Sequence, residues 1–341
     1  MNRKMSRRQA SATLLGAISG VALSTRLGAA QTPIASPAST PGDDLFDSVA
    51  FEPGVIPTIF GDVTLPDAVE KVVTLTDGSL DAMVAIGVQP VGVTASSNGE
   101  TVAAYLADKV DDSVTYIGGW GELDREGILQ LEPDVILADR YLFEEEYEFL
   151  SKIAPTVATL EIEVADAESV QQWEYEQLMW AHATGRVDEA KTVLRQLRAR
   201  AEEMKGPLAD HQGESVVVFR PQENFPVVMS HHWITGVMLS WVGLRGNDLT
   251  ENAPPPHTGD SVSLERLDLL AADWLFAATR NEDMVAALQS YLENPSFKTI
   301  PAVSNGRVAQ VPGDLWSGAT GVLAGHAMLD DITRIIVDGD Y

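Results

Sequence analysis

The chain has 341 residues, 45% of them hydrophobic and 21% charged, which excludes a disordered, collagen-like or coiled-coil composition. At about 150 residues per domain, the length suggests two domains with a core each. The formal charge is −27, from 23 basic and 50 acidic residues, and a surface so acidic repels polyphosphate and excludes nucleic acid as a partner. There is no cysteine, so disulfides, thiolate metal sites, cysteine nucleophiles and a lipid-bearing N-terminal cysteine are excluded as well.

Residues 1–30 read as an export signal. Arg3, Lys4, Arg7 and Arg8 precede an apolar run from Ala10 to Leu23, and the small residues Gly28, Ala29 and Ala30 follow. Ser6-Arg7-Arg8-Gln9-Ala10-Ser11 is similar to a twin-arginine signal, which exports folded proteins. The run is shorter than the roughly 20 residues a membrane span needs. The expected protein is therefore periplasmic or otherwise extracytoplasmic, either soluble or tethered by an uncleaved signal. Loss of the five basic residues of this segment takes the net charge from −27 to −32. Residues 31–57, with Pro33, Pro37, Pro41, Pro53 and Pro57 among Ser, Thr and Ala, read as a tether.

Short apolar strands then alternate with helical patterns. Strands are expected at Lys71–Thr76, Pro90–Ala95, Asp134–Ala138 and Thr156–Leu160. Helices are expected at Ser79–Ile86, Val102–Asp108, Glu126–Leu131 and Phe143–Ile153. The second half repeats the alternation. Its strands are Ser215–Phe219, Trp274–Ala278 and Val308–Val311, and its helices are Trp233–Val242, Leu264–Leu270, Asp283–Leu292 and Val322–Val337. Continuous apolar strands between helices predict parallel α/β sheets. A three-and-four apolar spacing from Val170 to Met204 predicts two helices separated near Gly185. The second, from Val187 to Lys205, would be about 28 Å long. The expected organisation is an N-terminal α/β lobe over 58–185, a bridging helix over 186–207 and a C-terminal α/β lobe over 208–341.

The chain also carries an internal repeat. Shifting it by 139 residues aligns Glu126–Ala138 with Glu265–Ala277 on the pattern E-x-[IL]-x-x-L-x-x-D-x-[IL]-x-A. Each copy describes a short helix opening on Glu, a turn at Asp and a buried strand. One copy could come from any helix–turn–strand unit, but one per half with Glu and Asp in register points to two related lobes.

With Lys71-Val-Val-Thr-Leu, Ala85-Ile-Gly-Val-Gln-Pro-Val-Gly-Val93 and Ala302-Val-Ser-Asn-Gly-Arg-Val308, the repeat resembles the helical-backbone class of substrate-binding proteins of ABC importers, over roughly residues 58–338. Each motif is loose, but their order is specific. The resemblance implies two parallel-sheet α/β lobes joined by one long helix, a ligand cleft between them, and capture of a ferric siderophore, haem or cobalamin. It also implies that one Glu per lobe, here Glu126 and Glu265, docks onto the two subunits of an ABC permease dimer. The usual lipoprotein Cys is missing, which favours a free periplasmic protein.

In parallel α/β lobes, ligands lie beyond the carboxyl ends of strands. The candidates there are Thr76, Asp77, Ser97, Trp120, Arg140 and Tyr141 in the first lobe, and Arg220, His231, Trp233 and Trp316 in the second. Arg140 and Arg220 would pair with carboxylate, catecholate or hydroxamate oxygens, and the aromatic residues would wall a bulky ligand. An iron(III)-siderophore chelate, carrying its own metal, is the favoured ligand. No cofactor and no protein-bound metal are expected, because five of the six histidines follow the first lobe and the sixth, His182, stands at its very end. Which of His231 and His232 faces the cleft stays open. A secreted hydrolase is the competing class, but Gly-x-Ser-x-Gly, His-Glu-x-x-His and a Gly-rich phosphate loop are all absent from the sequence. The sequence therefore favours a binding protein over an enzyme.

Overall fold

In a computed structural model, residues 34–35, 45–96, 99, 101–119, 122–142, 144–253 and 257–341 are described, and side chains 34–35 and 257–260 are left aside. The signal expected in 1–30 lies outside these residues, as do Ser97 and Trp120. The chain from Pro33 to Tyr341 contains two five-stranded sheets.

The first sheet uses β3 (Val72–Thr74), β4 (Gly92–Val93), β5 (Thr115–Tyr116), β6 (Val135–Ala138) and β7 (Thr156–Ala158), in the order β7-β6-β3-β4-β5 and all parallel. Every residue of β3, β6 and β7 is buried, as a sheet covered on both faces requires. Its helices are α1 (Asp77–Ala85), α2 (Arg125–Leu131), α3 (Glu144–Leu150) and α4 (Gln172–Ala183). The second sheet orders β10 (His257–Ser261), β9 (Val227–Met229), β8 (Val216–Arg220), β11 (Trp274–Thr279) and β12 (Val308–Pro312) from edge to edge. Here β8, β11 and β12 are parallel, while β9 runs antiparallel to β8 and β10 antiparallel to β9. The six residues from Pro221 to Pro226 are too few for a crossover, so the chain turns straight back on itself.

Between the sheets runs α5 (Val187–Met204), whose buried Ala190, Leu194, Leu197, Ala201 and Met204 keep the three-and-four spacing. It packs on α4 and α1 of the first lobe and on α6 (Ile234–Trp241) and α9 (Val322–Ile332) of the second. The second lobe also carries α7 (Glu282–Glu293) and α8 (Gly313–Gly318), besides two single-turn helices at Asp248–Glu251 and Pro301–Ser304. One continuous apolar core runs from Phe46 and Val72 through Trp180 and Leu194 to Val216, Trp316 and Ile336. It therefore extends across both lobes. Separate clusters back the outer faces of the sheets, around Val73 and Ile136 in the first and around Val217 and Leu275 in the second.

The reading of residues 31–57 as a tether does not hold for its last part. Phe46, Val49 and Ile56 are buried in the shared core, and β1 (Val55–Thr58) forms a hairpin with β2 (Gly61–Thr64). Prolines signalled a linker there, but three apolar side chains found a surface to cover. The helices expected at Val102–Asp108 and Leu264–Leu270 are 3-10 turns, the second kinked at Arg266.

The two copies of the repeat do the same structural job. Asp134 Oδ2 accepts the backbone N–H of Lys71 at 2.8 Å, and Asp273 Oδ2 accepts that of Ser215 at 2.8 Å. Each aspartate thereby fixes the start of the strand beside its own: Ile136 pairs with Val73, and Leu275 with Val217.

Candidate functional site

Parallel pairing lines up the carboxyl ends of β8, β11 and β12, at steps of about 4.8 Å. The strands lead into Arg220, Arg280 and Asp314 in that order. Strand β11 runs one residue further than its apolar pattern predicts, which puts Arg280 directly at its end. The Arg280 guanidinium donates to the Ser317 carbonyl at 3.1 Å and lies 3.8 Å from Asp314 Oδ1. Two glycines make room for it. A Cβ on Gly313 would overlap the Arg280 stem, and one on Gly318 would stand 2.8 Å from Nη2.

Arg220 is placed differently. It is half-buried, its Nε has no hydrogen-bond partner, and no carboxylate pairs with it among the described residues. Burial, and then the positive charge of Arg280, push its guanidinium pKa down. Two cations held together with one of them uncompensated form a site that an anion stabilises.

The first lobe faces this pair with acid. Thr76 caps α1, accepting the Ser79 N–H at 3.2 Å, and so sets Asp77 at the head of the helix. Asp77 is within electrostatic reach of Asp314 and Arg280. Burial first, then Asp314, raise its pKa to about 6 against the pull of Arg280. At Gly78 the lobes touch: a Cβ there would stand 2.5 Å from Thr320 Oγ1. One turn further, the fully buried Asp81 accepts the N–H groups of Leu323 at 3.0 Å and Ala324 at 2.8 Å, capping α9 of the opposite lobe. Its pKa is raised to about 7 by burial, against the pull of those N–H groups. These contacts join α1 of the first lobe to the start of α9 in the second.

At the end of β6, Arg140 is already paired. Its Nη1 donates to Glu176 at 2.8 Å, its Nη2 donates to the Tyr141 hydroxyl at 2.8 Å, and its guanidinium lies 4.5 Å from that ring centroid. Glu176 is buried, which raises its pKa, and it also accepts from Thr159 and Gln172. Tyr141 remains 55% exposed, so its ring is an open surface at the strand end.

Trp316, expected as a cleft wall, is instead a core residue. It is fully buried, stacks edge-on against Phe276, and donates Nε1–H to Asp331 at 2.8 Å. Helix α8 turns it away from the strand end and into the sheet. Trp233 is half-buried against the same core, with its Nε1 unpartnered. His231 is half-buried, and burial lowers its pKa. The charges it feels are those of Glu251 and His232, so it belongs to a separate cluster from the arginines. His232 is exposed and its Nε2 is 3.0 Å from the Glu251 carbonyl. Glu126 and Glu265 are exposed in the first turns of their helices, just after the caps Asp124 and Ser263. Among the described residues, no group of three His, Asp or Glu side chains is placed to hold a metal ion.

A model of the periplasmic binding protein family matches residues 72–315, which include both sheets. The chain belongs to the periplasmic binding protein family. Among its relatives is the probable siderophore-binding lipoprotein YfiY of Bacillus subtilis (strain 168), 27% identical over 277 residues, covering 79% of this chain and 82% of the relative. Another is the Fe(3+)-citrate-binding protein YfmC of the same organism, 25% identical, covering 80% of this chain and 83% of the relative. The fold is similar to that of Staphylococcus aureus SirA complexed with staphyloferrin B, with a TM-score of 0.68 at 22% identity, covering 82% of this chain and 97% of that one.

For a periplasmic binding protein the consequential residue absent from the sequence reading is Arg280. The rule that found Arg220 would have found it, had the strand been taken one residue further to Thr279. Asp81 had no such signal, because its partners lie 242 and 243 residues away.

Proposed function

We propose that this chain is the extracytoplasmic substrate-binding protein of an ABC importer and captures an iron(III)-siderophore-type chelate in the cleft between its lobes. The observation that carries the reading is the Arg220–Arg280 pair at the strand ends, with the Arg220 Nε buried and unpartnered. A polyanionic chelate supplies the oxygen acceptor that the Arg220 Nε lacks. The names of the relatives, siderophore-binding and Fe(3+)-citrate-binding, support the same class. Asp77, Tyr141 and Trp233 extend the proposed site; Ser97 and Trp120, expected there from the sequence, lie outside the described residues. Residues 1–30 are proposed as the export signal, 58–185 and 208–341 as the lobes, and 186–207 as the bridge. Glu126 and Glu265 are proposed to dock onto the two subunits of the permease.

The test is a titration followed by tryptophan fluorescence and native mass spectrometry, with ferric citrate, a ferric catecholate, a ferric hydroxamate, haemin and cobalamin. One of the ferric chelates should bind with a Kd below about 1 µM. Arg220→Ala should weaken that binding by about 1.5–3 kcal/mol, the value of a hydrogen bond to a charged group. Binding of haemin or cobalamin alone would move the reading to those ligands. Turnover of ester, phosphate or glycoside substrates would move it to a secreted hydrolase.

A further inference from the structure

The strand ends of the two lobes carry opposite charge. In the first lobe Val73 pairs with Ile136 and Thr74 with Leu137, which sets the ends of β3 and β6 side by side, about 4.8 Å apart. Asp139 directly follows β6, and Asp77 opens α1 after β3; both are half-buried. Asp139 Oδ1 accepts the Tyr141 N–H at 2.8 Å, while Arg140 is committed to Glu176 and to the Tyr141 hydroxyl. Among the described residues, none donates a hydrogen bond to the Asp77 carboxylate, which feels the charges of Asp314 and Arg280 from the opposite lobe. Three carboxylates at these ends, Asp77, Asp139 and Glu176, thus face one guanidinium, and burial raises the pKa of all three. In the second lobe the balance is reversed, with Arg220 and Arg280 beside the single carboxylate of Asp314.

We propose that the cleft selects a bipolar chelate, one that turns anionic oxygens to Arg220 and an ammonium group to Asp77 and Asp139. The proposal rests on the siderophore reading of the cleft and narrows its ligand. A chelate with anionic oxygens on every side would bring some of them against Asp77 and Asp139, in a recess where water screens the repulsion poorly. An ammonium group turns that repulsion into attraction, because it brings the proton donor that the Asp77 carboxylate lacks. Tyr141, 55% exposed, adds a ring surface on which a cation rests favourably. Asp77 and Asp139 are therefore the residues that discriminate among ligands, while Arg220 supplies the attraction common to all anionic chelates.

The experiment titrates wild type and Asp77→Asn/Asp139→Asn at about pH 7.5, where Asp77 is ionised. Three ferric chelates are used: ferrioxamine B, which carries one free ammonium group, its N-acetyl derivative, which lacks that charge, and ferric citrate, which has no ammonium. Asparagine keeps the size of both side chains and an acceptor for the Tyr141 N–H. Wild type should bind ferrioxamine B about tenfold or more tighter than the N-acetyl derivative, and the variant should bind the two alike. Ferric citrate should bind the variant about tenfold or more tighter than wild type. Equal titrations of the two hydroxamates by wild type, absence of binding included, overturn the proposal. So does ferric citrate binding that the substitutions leave unchanged. Tight binding of ferric citrate or a ferric catecholate by both proteins keeps the siderophore reading and removes only the ammonium; if no ferric chelate binds wild type, both fall. Should the variant lose its fold, seen as a collapse in Tm, the two hydroxamate titrations of wild type decide the matter without it.

Discussion

Gly321 and Asp81 sit so close that a Cβ on the glycine would stand 2.3 Å from the aspartate carboxyl carbon, well inside van der Waals contact distance. Gly321 also holds φ at +128°, a conformation that side chains resist. The contact joins α1 of the first lobe to the start of α9 in the second, with the carboxylate taking the N–H groups that the helix start leaves unpaired. Gly321→Ala should therefore cost about 2–4 kcal/mol in urea unfolding, from backbone strain together with displacement of the cap. A cost below about 0.5 kcal/mol would mean the interlobe cap tolerates rearrangement.

Asp81→Asn tests the same contact through pH. The folded-state pKa of Asp81 is about 7, well above its ordinary 3.8. Between these values the folded protein holds a proton that the unfolded chain has released, so this group's contribution to stability falls as pH rises. Asn does not titrate, so wild type should lose stability relative to Asp81→Asn between about pH 4 and pH 7. Asp77, raised to about 6, adds a slope of the same sign in both proteins and cancels in the comparison. Parallel stability curves across that range would show that Asp81 titrates normally.

Arg140 and Glu176 should behave as one buried unit. Arg140→Ala leaves the Glu176 carboxylate buried without its cation and should destabilise the protein by about 3 kcal/mol at pH 7. Glu176→Gln in the same chain should recover much of this loss. Losing the arginine also raises the Glu176 pKa further, so the single variant should be least destabilised at low pH. Chemical denaturation of the two single variants and the double variant at pH 5 and pH 8 measures the coupling. Additive costs would show that the pair is not coupled.

The repeat predicts matched costs in the two lobes. Asp134→Ala and Asp273→Ala should each lose about 0.5–1.5 kcal/mol, because each removes the carboxylate acceptor of a strand-start N–H. Those backbone hydrogen bonds hold both carboxyls below their usual pKa. Their contribution is therefore present at neutral pH and fades as the solution is acidified below about pH 4. Urea midpoints at pH 7 and pH 3 check both the size and the sign. A neutral substitution at either aspartate would break the equivalence of the two copies.

The sequence by itself determined the local elements and their duplication. Alternating apolar runs and three-and-four spacings are short-range signals, so β6, β11 and α5 were legible to within a residue or two. The aspartate of the repeat was legible as a turn before a buried strand, but its role as acceptor for the start of the neighbouring strand was not, because its partners Lys71 and Ser215 lie 63 and 58 residues away. The strand-end rule placed Arg220, Arg140 and Asp77 because parallel topology carries those ends to one side. Only the tertiary structure decided what each side chain does there. Arg140 is paired to Glu176, 36 residues away, and Asp81 caps a helix 242 residues away. Trp316 turned inward because α8 starts directly at the strand end, and Phe46 left the expected tether because an apolar surface was there to receive it. Electrostatic pairing and core burial depend on which surfaces meet once the lobes close on α5, and local periodicity carries no record of that meeting.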